Sequence, residues 1–311
     1  MELNNLLISG NLIEEIQSIL DEKDISKNVR YKDENEVTED DLEWADAYVG
    51  FKPKASLDFS KVKWVHSTGA GVDRFLDERN WDPGVLLTRT IASFGQKIAE
   101  YSLSYILRHL QKHNQFIQYQ AKKEWNPVTP GILSEQRVVV FGTGEIGQVV
   151  ANKLSSLGVS VTGVSASGSG KPYFDQVIAQ NKDLTSYLSN ANWVISTLPL
   201  TSDTNGMLDE KIFTKLNSAG FINVGRGKTV NTNHLLNALD DEKIHTAVLD
   251  VFEEEPLPQS SPFWEHDNVI ITPHISAETT PAEAVACFLE TLEKVEASEN
   301  FKNQVDIDRG Y

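Results

Sequence analysis

The stretch that decides the fold is VVVFGTGEIG, residues 138–147. An apolar run typical of a buried strand enters the spacing G-x-G-x-x-G, and the helical pattern EIGQVVANKLSSLG follows. There the first glycine permits a tight turn, the second lets the backbone approach a pyrophosphate, and the third lets helix and strand pack closely. The start of the helix would present unpaired N–H groups to the phosphates. A plain structural turn is the alternative to the dinucleotide site that we predict at Gly142, Thr143, Gly144, Glu145, Ile146 and Gly147.

The position expected to bind the adenosine ribose lacks the Asp or Glu that is usual there. Counting on from Gly147, that position falls at about residue 165, within GVSASGSGKP at 163–172. An acid there would repel a 2′-phosphate, whereas serine hydroxyls can donate hydrogen bonds to one and a lysine can supply charge. The sequence therefore favours NADP(H), with NAD(H) as the alternative. The residues concerned are Ser165, Ala166, Ser167 and Lys171; a flexible loop that discriminates poorly is the other interpretation.

Composition narrows the function classes. The chain has 311 residues, enough for two domains, and no apolar run approaches the length of a membrane span. A net charge of −17 argues against nucleic acid and acidic membranes as partners. Cys287 is the single cysteine, which rules out an internal disulfide and a cysteine-based metal site. We expect a cytoplasmic protein that holds no metal ion. Because the chain is strongly acidic, a site for an anionic substrate must supply its own local positive charge.

Strand and helix patterns alternate in both halves of the chain. In 1–97 the strand-like runs are NNLLISG, DAYVGF, KVKWVHS and PGVLLTRT, with helical spacing in NLIEEIQSIL. A long helical stretch is expected from about Lys97 through IAEYSLSYILRHLQKHNQFIQYQ. The later runs are RVVVFG, SVTGV, WVISTLPL, FINVG, HTAVLDV and NVIITPH, apolar without clean alternation, as buried parallel strands are. The chain therefore reads as α/β, with two open parallel sheets covered by helices.

Three chemically useful side chains follow apolar strands of the second half. They are an arginine in NVGRG, a carboxylate in LDVFEEEPLP and a histidine in TPHIS. Singly, each has an ordinary structural explanation. In open α/β sheets, however, ligands bind beyond the carboxyl ends of the strands. We therefore expect Arg226, one carboxylate of the EEEP segment and His274 to converge near a bound nicotinamide.

These motifs, taken in order, also resemble a known family. GTGEIG, NVGRG, DVFEEEPLP and PHIS look like the D-isomer-specific 2-hydroxyacid dehydrogenases, and PAEA with the ending NQVDIDRGY is similar to the glyoxylate/hydroxypyruvate reductase branch. The resemblance implies two doubly wound parallel-sheet domains with a cleft between them. It implies a flavodoxin-like substrate domain, 1–97 completed by 274–311, and a Rossmann cofactor domain, 98–273. It also implies a homodimer.

The resemblance further implies a role for each matching residue. Arg226 would bind the substrate carboxylate and the 2-oxo group, His274 would donate a proton, and Glu255 would hold the imidazole in its charged form. STGAGVD at 67–73 would be the substrate loop, and its backbone at Gly69, Ala70 and Gly71 is expected to form an anion-binding nest with positive φ angles at the glycines. A plain turn is the alternative for this loop. Further cofactor contacts are expected at Leu198, Pro199, Val224 and Asp250.

The predicted activity is reduction of a small 2-oxo acid to the D-2-hydroxy acid, with NADPH preferred. Glyoxylate, hydroxypyruvate and larger aliphatic 2-oxo acids are the candidate substrates. The alternative from another class is an NAD(H)-binding corepressor of the same fold that recognises peptides. His66, just before the substrate loop, either lines the cleft or is structural, and we favour the structural role.

Overall fold

The computed structural model describes residues 1–10, 13–23, 25–76, 81–307 and 310. Three residues of the motif NQVDIDRGY lie outside the described residues: Asp308, Arg309 and Tyr311. The chain divides into two compact units, Met1–Phe94 with Glu278–Tyr311, and Gly95–Ala277. The unit boundaries, at 94/95 and 277/278, lie within four residues of the domain boundaries expected at 97/98 and 273/274.

The first unit contains a five-stranded parallel sheet. Its elements in chain order are β1 (Asn5–Ser9), α1 (Ile13–Lys23), β2 (Asn28–Lys32), α2 (Glu39–Trp44), β3 (Ala47–Gly50), β4 (Trp64–Ser67), α3 (Asp73–Leu76) and β5 (Leu86–Arg89). The strand order is β2-β1-β3-β4-β5, which is the flavodoxin-like order. A 3₁₀ turn at Phe59–Lys61 precedes β4.

The second unit contains a seven-stranded parallel sheet. Its elements are α4 (Phe94–Leu110), α5 (His113–Lys122), β6 (Arg137–Phe141), α6 (Glu145–Ser156), β7 (Ser160–Ser165), β8 (Gln176–Ala179), α7 (Thr185–Ser189), β9 (Trp193–Ser196), α8 (Glu210–Phe213), β10 (Ala219–Asn223), α9 (Thr232–Asp240), β11 (Ile244–Leu249) and β12 (Val269–Ile271). The order β12-β11-β10-β9-β6-β7-β8 reverses direction between β6 and β9. That reversal is the topological switch point of a Rossmann sheet, where nucleotides bind.

Apolar side chains cover both faces of each sheet. In the second unit one face is centred on Phe141, Phe221 and Leu249, and the other on Val140, Trp193 and Ile222. In the first unit one face includes residues of the last helix, α10 (Pro281–Ala297), which contributes Val285, Phe288 and Leu292. This two-sided burial explains why the strands read as continuous apolar runs.

The predicted α/β class with two parallel sheets is confirmed, and two details differ. The strands β2 and β8 carry no clear apolar run, because both lie at sheet edges and are largely half-exposed. The helical stretch expected from about Lys97 consists of two helices: α4 ends at Leu110, and α5 begins at His113 after Lys112 takes a left-handed φ of 57°. In the described part of the chain, no helix is long and apolar enough to cross a membrane.

Candidate active site

The glycine-rich turn has the geometry that a dinucleotide requires. Gly142 has a φ of +98°, and a Cβ on Gly147 would lie 2.0 Å from the carbonyl oxygen of Gly142. By contrast, a Cβ on Gly144 would meet nothing within 4 Å. Gly144 is the N-cap of α6 and has no side chain with which to cap it. The N–H groups of the first turn are therefore suited to a pyrophosphate that approaches Gly144.

The residues flanking this turn have ordinary structural surroundings. Thr143 is buried, whereas Glu145 is exposed and Ile146 is half-buried at the start of α6. After β9 the chain continues through Leu198 and Pro199, and the carbonyl oxygen of Pro199 accepts a hydrogen bond from Thr204 Oγ1 at 2.6 Å. Val224 follows β10 directly and is buried. Leu198, Pro199 and Val224 therefore lie at the carboxyl edge of the sheet, beside the switch point.

The loop after β7 is a closed turn of serines and glycines. Ser165, the last residue of β7, accepts a hydrogen bond from the Gly168 N–H at 3.1 Å. Ser167 donates its hydroxyl proton to Ser169 Oγ at 3.0 Å. Ala166 and Lys171 are exposed. The hydroxyl of Ser165 retains its proton for a ligand, and Ser167 must rotate away from Ser169 to offer its own.

The three predicted catalytic residues follow three adjacent strands. Arg226 comes after β10, Glu255 after β11 and His274 after β12. Because the strands are parallel, all three follow their carboxyl ends. The Arg226 guanidinium donates to the carbonyl oxygen of Gly225 at 2.9 Å, and the carbonyl oxygen of Arg226 accepts from Thr229 Oγ1 at 2.7 Å. This turn is therefore ordered by its own hydrogen bonds.

Glu255 and His274 form a direct pair. Nδ1 of His274 lies 2.9 Å from Oε2 of Glu255, and Oε1 of Glu255 accepts the Phe252 N–H at 3.0 Å. Because an ionised carboxylate only accepts hydrogen bonds, the network assigns a proton to Nδ1. The imidazole side chain is 40% exposed. Nε2 is thus the nitrogen left to exchange a proton with a substrate.

Asp250 is buried directly beside this pair. Its Oδ1 accepts from Thr272 Oγ1 at 2.6 Å and from the Ile275 N–H at 2.9 Å, and its Oδ2 accepts from the Ser276 N–H at 2.9 Å. The family resemblance predicts that Asp250 contacts a nicotinamide amide. In the structure its carboxylate organises the turn that carries His274. Thr272 was not singled out from the sequence, which offers no signal for this contact.

In the first unit, the substrate loop differs in one respect from expectation. The prediction of a positive φ at Gly69 is wrong, and its N–H already donates to Ser67 Oγ at 3.3 Å. A Cβ at this position would lie 2.3 Å from the exposed Phe51 ring, so a larger residue would displace that ring. Ala70 and Gly71 are half-buried, and the Gly71 carbonyl oxygen accepts from Ser67 Oγ at 3.0 Å.

His66 is a core residue of the first unit. It is fully buried, with Nδ1 2.7 Å from Thr88 Oγ1 and Nε2 3.3 Å from Thr90 Oγ1. Burial lowers its pKa to about 3, so the ring is neutral. These contacts agree with the structural role that we favoured. Among the described residues, no group of three His, Cys, Asp or Glu side chains could hold a metal ion.

With the fold and these strand ends described, comparison with known proteins identifies the family. Residues 103–276 match the model of the D-isomer specific 2-hydroxyacid dehydrogenase NAD binding domain. The chain belongs to the D-isomer specific 2-hydroxyacid dehydrogenase family. It is 34% identical over 260 residues to glyoxylate/hydroxypyruvate reductase A of Serratia proteamaculans, which covers 81% of this chain and 82% of that protein. The protein of the same description from Citrobacter koseri is 34% identical over 273 residues, 85% of this chain and 87% of that one.

Solved structures of family members agree with the whole chain. A D-isomer specific 2-hydroxyacid dehydrogenase from Xanthobacter autotrophicus, in complex with NADPH and MES, is 32% identical, has a TM-score of 0.89 and is matched over 100% of both chains. An NADPH-dependent glyoxylate/hydroxypyruvate reductase from Sinorhizobium meliloti, in complex with NADP and sulfate, is 30% identical, with a TM-score of 0.85 over 99% of this chain and 100% of that one. The present chain is accordingly an oxidoreductase that uses a nicotinamide cofactor.

Proposed function

We propose that this enzyme reduces a small 2-oxo acid to the D-2-hydroxy acid, with NADPH as the preferred hydride donor. Glyoxylate and hydroxypyruvate are the first candidates, because relatives at 34% identity bear those substrates in their names. The observation that carries the proposal is the 2.9 Å distance between Glu255, which follows β11, and His274, which follows β12. In the same sheet β11 adjoins β10, the strand that Arg226 follows. An acid–base pair and a fixed cation are what reduction of an anionic carbonyl compound requires.

The proposed chemistry assigns one task to each residue. The Arg226 guanidinium is always charged, forks to fit a carboxylate, and supplies local positive charge in a chain of net charge −17. A nicotinamide held at the glycine-rich turn would supply the hydride that C2 of the substrate accepts. His274 donates a proton from Nε2 to the oxygen of the 2-oxo group, and Glu255 stabilises the imidazole in its charged form. General acid assistance of this kind typically contributes about 10²- to 10⁴-fold in rate.

The preference for NADPH rests on the loop after β7. No carboxylate occurs from Ser165 to Lys171, and the chain there offers three serine hydroxyls and one ammonium group to a 2′-phosphate. The related enzymes from Xanthobacter autotrophicus and Sinorhizobium meliloti were solved with NADPH and NADP. Gly142, Gly144 and Gly147 supply the turn on which we place the pyrophosphate. We place the substrate loop at Gly69, Ala70 and Gly71, in the unit that we propose as the substrate domain.

We also propose that the active form is a homodimer joined through the segment that contains α5. Helix α5 buries none of its residues, and Ile117 and Trp125 are 63% and 97% exposed. Residues 108–125 contain four basic residues, Arg108, Lys112, Lys122 and Lys123, and one acid, Glu124. A basic, apolar surface on a strongly acidic chain is complementary to a second copy. Trp125→Glu should produce monomers in analytical ultracentrifugation; an unchanged dimer, or a wild-type monomer, would refute this.

A panel of 2-oxo acids assayed separately with NADPH and NADH tests the activity. Glyoxylate, hydroxypyruvate, pyruvate and a branched 2-oxo acid should include at least one good substrate, and chiral analysis should find the D product where C2 becomes a stereocentre. His274→Ala should abolish turnover while fluorescence titration still shows NADPH binding. Full activity of that variant, or no turnover of any acid by the wild-type protein, would overturn the proposal. A cytoplasmic location stays a prediction.

A further inference from the structure

The turn that carries His274 has a backbone conformation that needs support. His274 has a φ of 56°, in the left-handed region that costs a residue with a Cβ atom about 1–2 kcal/mol. Its N–H is shared between the carbonyl oxygens of Asp250 at 2.9 Å and Thr272 at 3.0 Å. Such a conformation persists where the surroundings determine it several times over. Asp250 does so through both its carbonyl and its carboxylate.

A directed chain of hydrogen bonds reaches this turn from helix α4. Tyr101 Oη lies 2.6 Å from Thr272 Oγ1, which in turn lies 2.6 Å from Asp250 Oδ1. Because the carboxylate accepts only, the single proton of Thr272 goes to Asp250. Tyr101 must therefore be the donor to Thr272. The direction of the whole chain, from Tyr101 through Thr272 to Asp250, follows from this one constraint.

The chain keeps that direction over the working pH range. Burial raises the pKa of the Tyr101 hydroxyl well above its usual range, and the charge of Asp250 adds to the effect. Tyr101 therefore stays protonated and remains a donor. Its ring packs edge-on against Tyr105, with centroids 4.9 Å apart, and this contact restrains the position of the hydroxyl oxygen.

We propose that Tyr101 and Thr272 are positioning residues, which act through Asp250 to hold the His274 imidazole at the place where it delivers its proton. The proposal deepens the proposed function and rests on it. Neither residue has an assigned role in the proton transfer itself. Their effect is geometric, since a displacement of about 1 Å in a reacting group can cost about 100-fold in rate.

Four variants separate positioning from bulk stability. Thr272→Val should lower kcat about 10- to 100-fold, whereas Thr272→Ser keeps the hydroxyl and should restore most of it. Tyr101→Phe should lower kcat about threefold to tenfold, as expected for one neutral hydrogen bond. Tyr187→Phe removes a tyrosyl hydroxyl elsewhere in the same unit and should change nothing. The KM for NADPH should stay within about twofold throughout, because the loss is in the chemical step.

A second measurement does not depend on turnover. In protein labelled at histidine, the ring resonances of His274, assigned with His274→Gln, should move in Thr272→Val and Tyr101→Phe, and return towards wild type in Thr272→Ser. Unmoved His274 resonances with wild-type kcat would refute the positioning role. So would a uniform loss of folding in which all histidines shift together. If the wild-type enzyme reduces no 2-oxo acid but His274 still moves, the proposed function fails and the positioning role stands.

Discussion

Gly227 lies directly against the backbone of Phe252: a Cβ on Gly227 would be 1.9 Å from the carbonyl carbon of Phe252. Real Cβ contacts essentially never fall below 3.0 Å, so only glycine fits. Gly227 follows Arg226, and Phe252 donates its N–H to Glu255. The contact thus joins the turn that carries the guanidinium to the loop that carries the carboxylate.

The first prediction follows from this contact. Gly227→Ala should force the two loops apart, cost about 1–3 kcal/mol of unfolding free energy, as overpacking does, and lower kcat/KM at least about tenfold. Thermal unfolding and steady-state kinetics measure the two effects. In Gly84→Ala the new methyl group meets only the Asp82 side chain, at 3.2 Å, so this variant should behave as wild type. Normal activity of Gly227→Ala would show that the loops are not coupled.

The second prediction concerns the charge of Glu255. Glu255→Gln keeps the size of the side chain but removes the negative charge that favours a protonated His274. We expect kcat to fall about 100-fold or more at neutral pH. The neighbouring, exposed Glu254 provides the matched control, and Glu254→Gln should leave kcat unchanged. Equal effects of both substitutions would assign the effect to general charge rather than to the pair.

The third prediction concerns Arg226. Arg226→Lys retains a positive charge but loses the planar fork that binds a carboxylate at two points. The kcat/KM for the 2-oxo acid should fall about 10- to 100-fold, the range expected for hydrogen bonds to a charged group. NADPH affinity, measured by fluorescence titration, should not change. Arg137→Lys, an exposed substitution in the same unit, should be silent; an unaffected kcat/KM in Arg226→Lys would remove the residue from substrate binding.

The fourth prediction tests the cofactor loop. Lys171→Ala should reduce kcat/KM for NADPH about tenfold, as expected on losing a charged phosphate contact, and should leave kcat/KM for NADH unchanged. Ser165→Asp should go further, because a carboxylate repels a 2′-phosphate and accepts ribose hydroxyl protons. Lys182→Ala removes another exposed lysine of this unit as a control. If the wild-type enzyme prefers NADH, the proposal that this loop binds a 2′-phosphate is wrong.

The grouping of the catalytic residues at one edge of the sheet could be predicted, because the carboxyl ends of parallel strands meet at the same edge. No side-chain contact has to be known for that prediction. VVVFGTGEIG located the switch point, and the motifs around Arg226, Glu255 and His274 each follow an apolar strand. The partners that orient them could not be predicted, since Thr272 and Tyr101 meet Asp250 only through the folded turn and helix α4. Gly69 shows the same limit: the sequence suggested a positive φ, whereas in the structure the close neighbour of this glycine is the Phe51 ring.

The last prediction concerns stability at mildly acidic pH. Burial lowers the pKa of His66 to about 3 and that of His245 to about 4. Both histidines are therefore neutral in the folded chain near neutral pH, whereas in the unfolded chain they gain protons below about pH 6.5. The unfolded state binds more protons in this window, so stability falls as the pH drops from about 6.5 towards these values.

As the pH falls from about 6.5 towards the folded pKa, each of these histidines lowers the free energy of unfolding by about 1.4 kcal/mol per pH unit. Between pH 7 and pH 5, His66 therefore contributes a loss of about 2 kcal/mol. Urea unfolding at those two pH values measures it. His66→Gln should flatten the pH dependence by that amount, although Thr88 and Thr90 lose their imidazole partner and absolute stability falls. His113→Gln, at an exposed position, should leave the slope as it is. An undiminished slope in His66→Gln would mean that the ring titrates equally in both states.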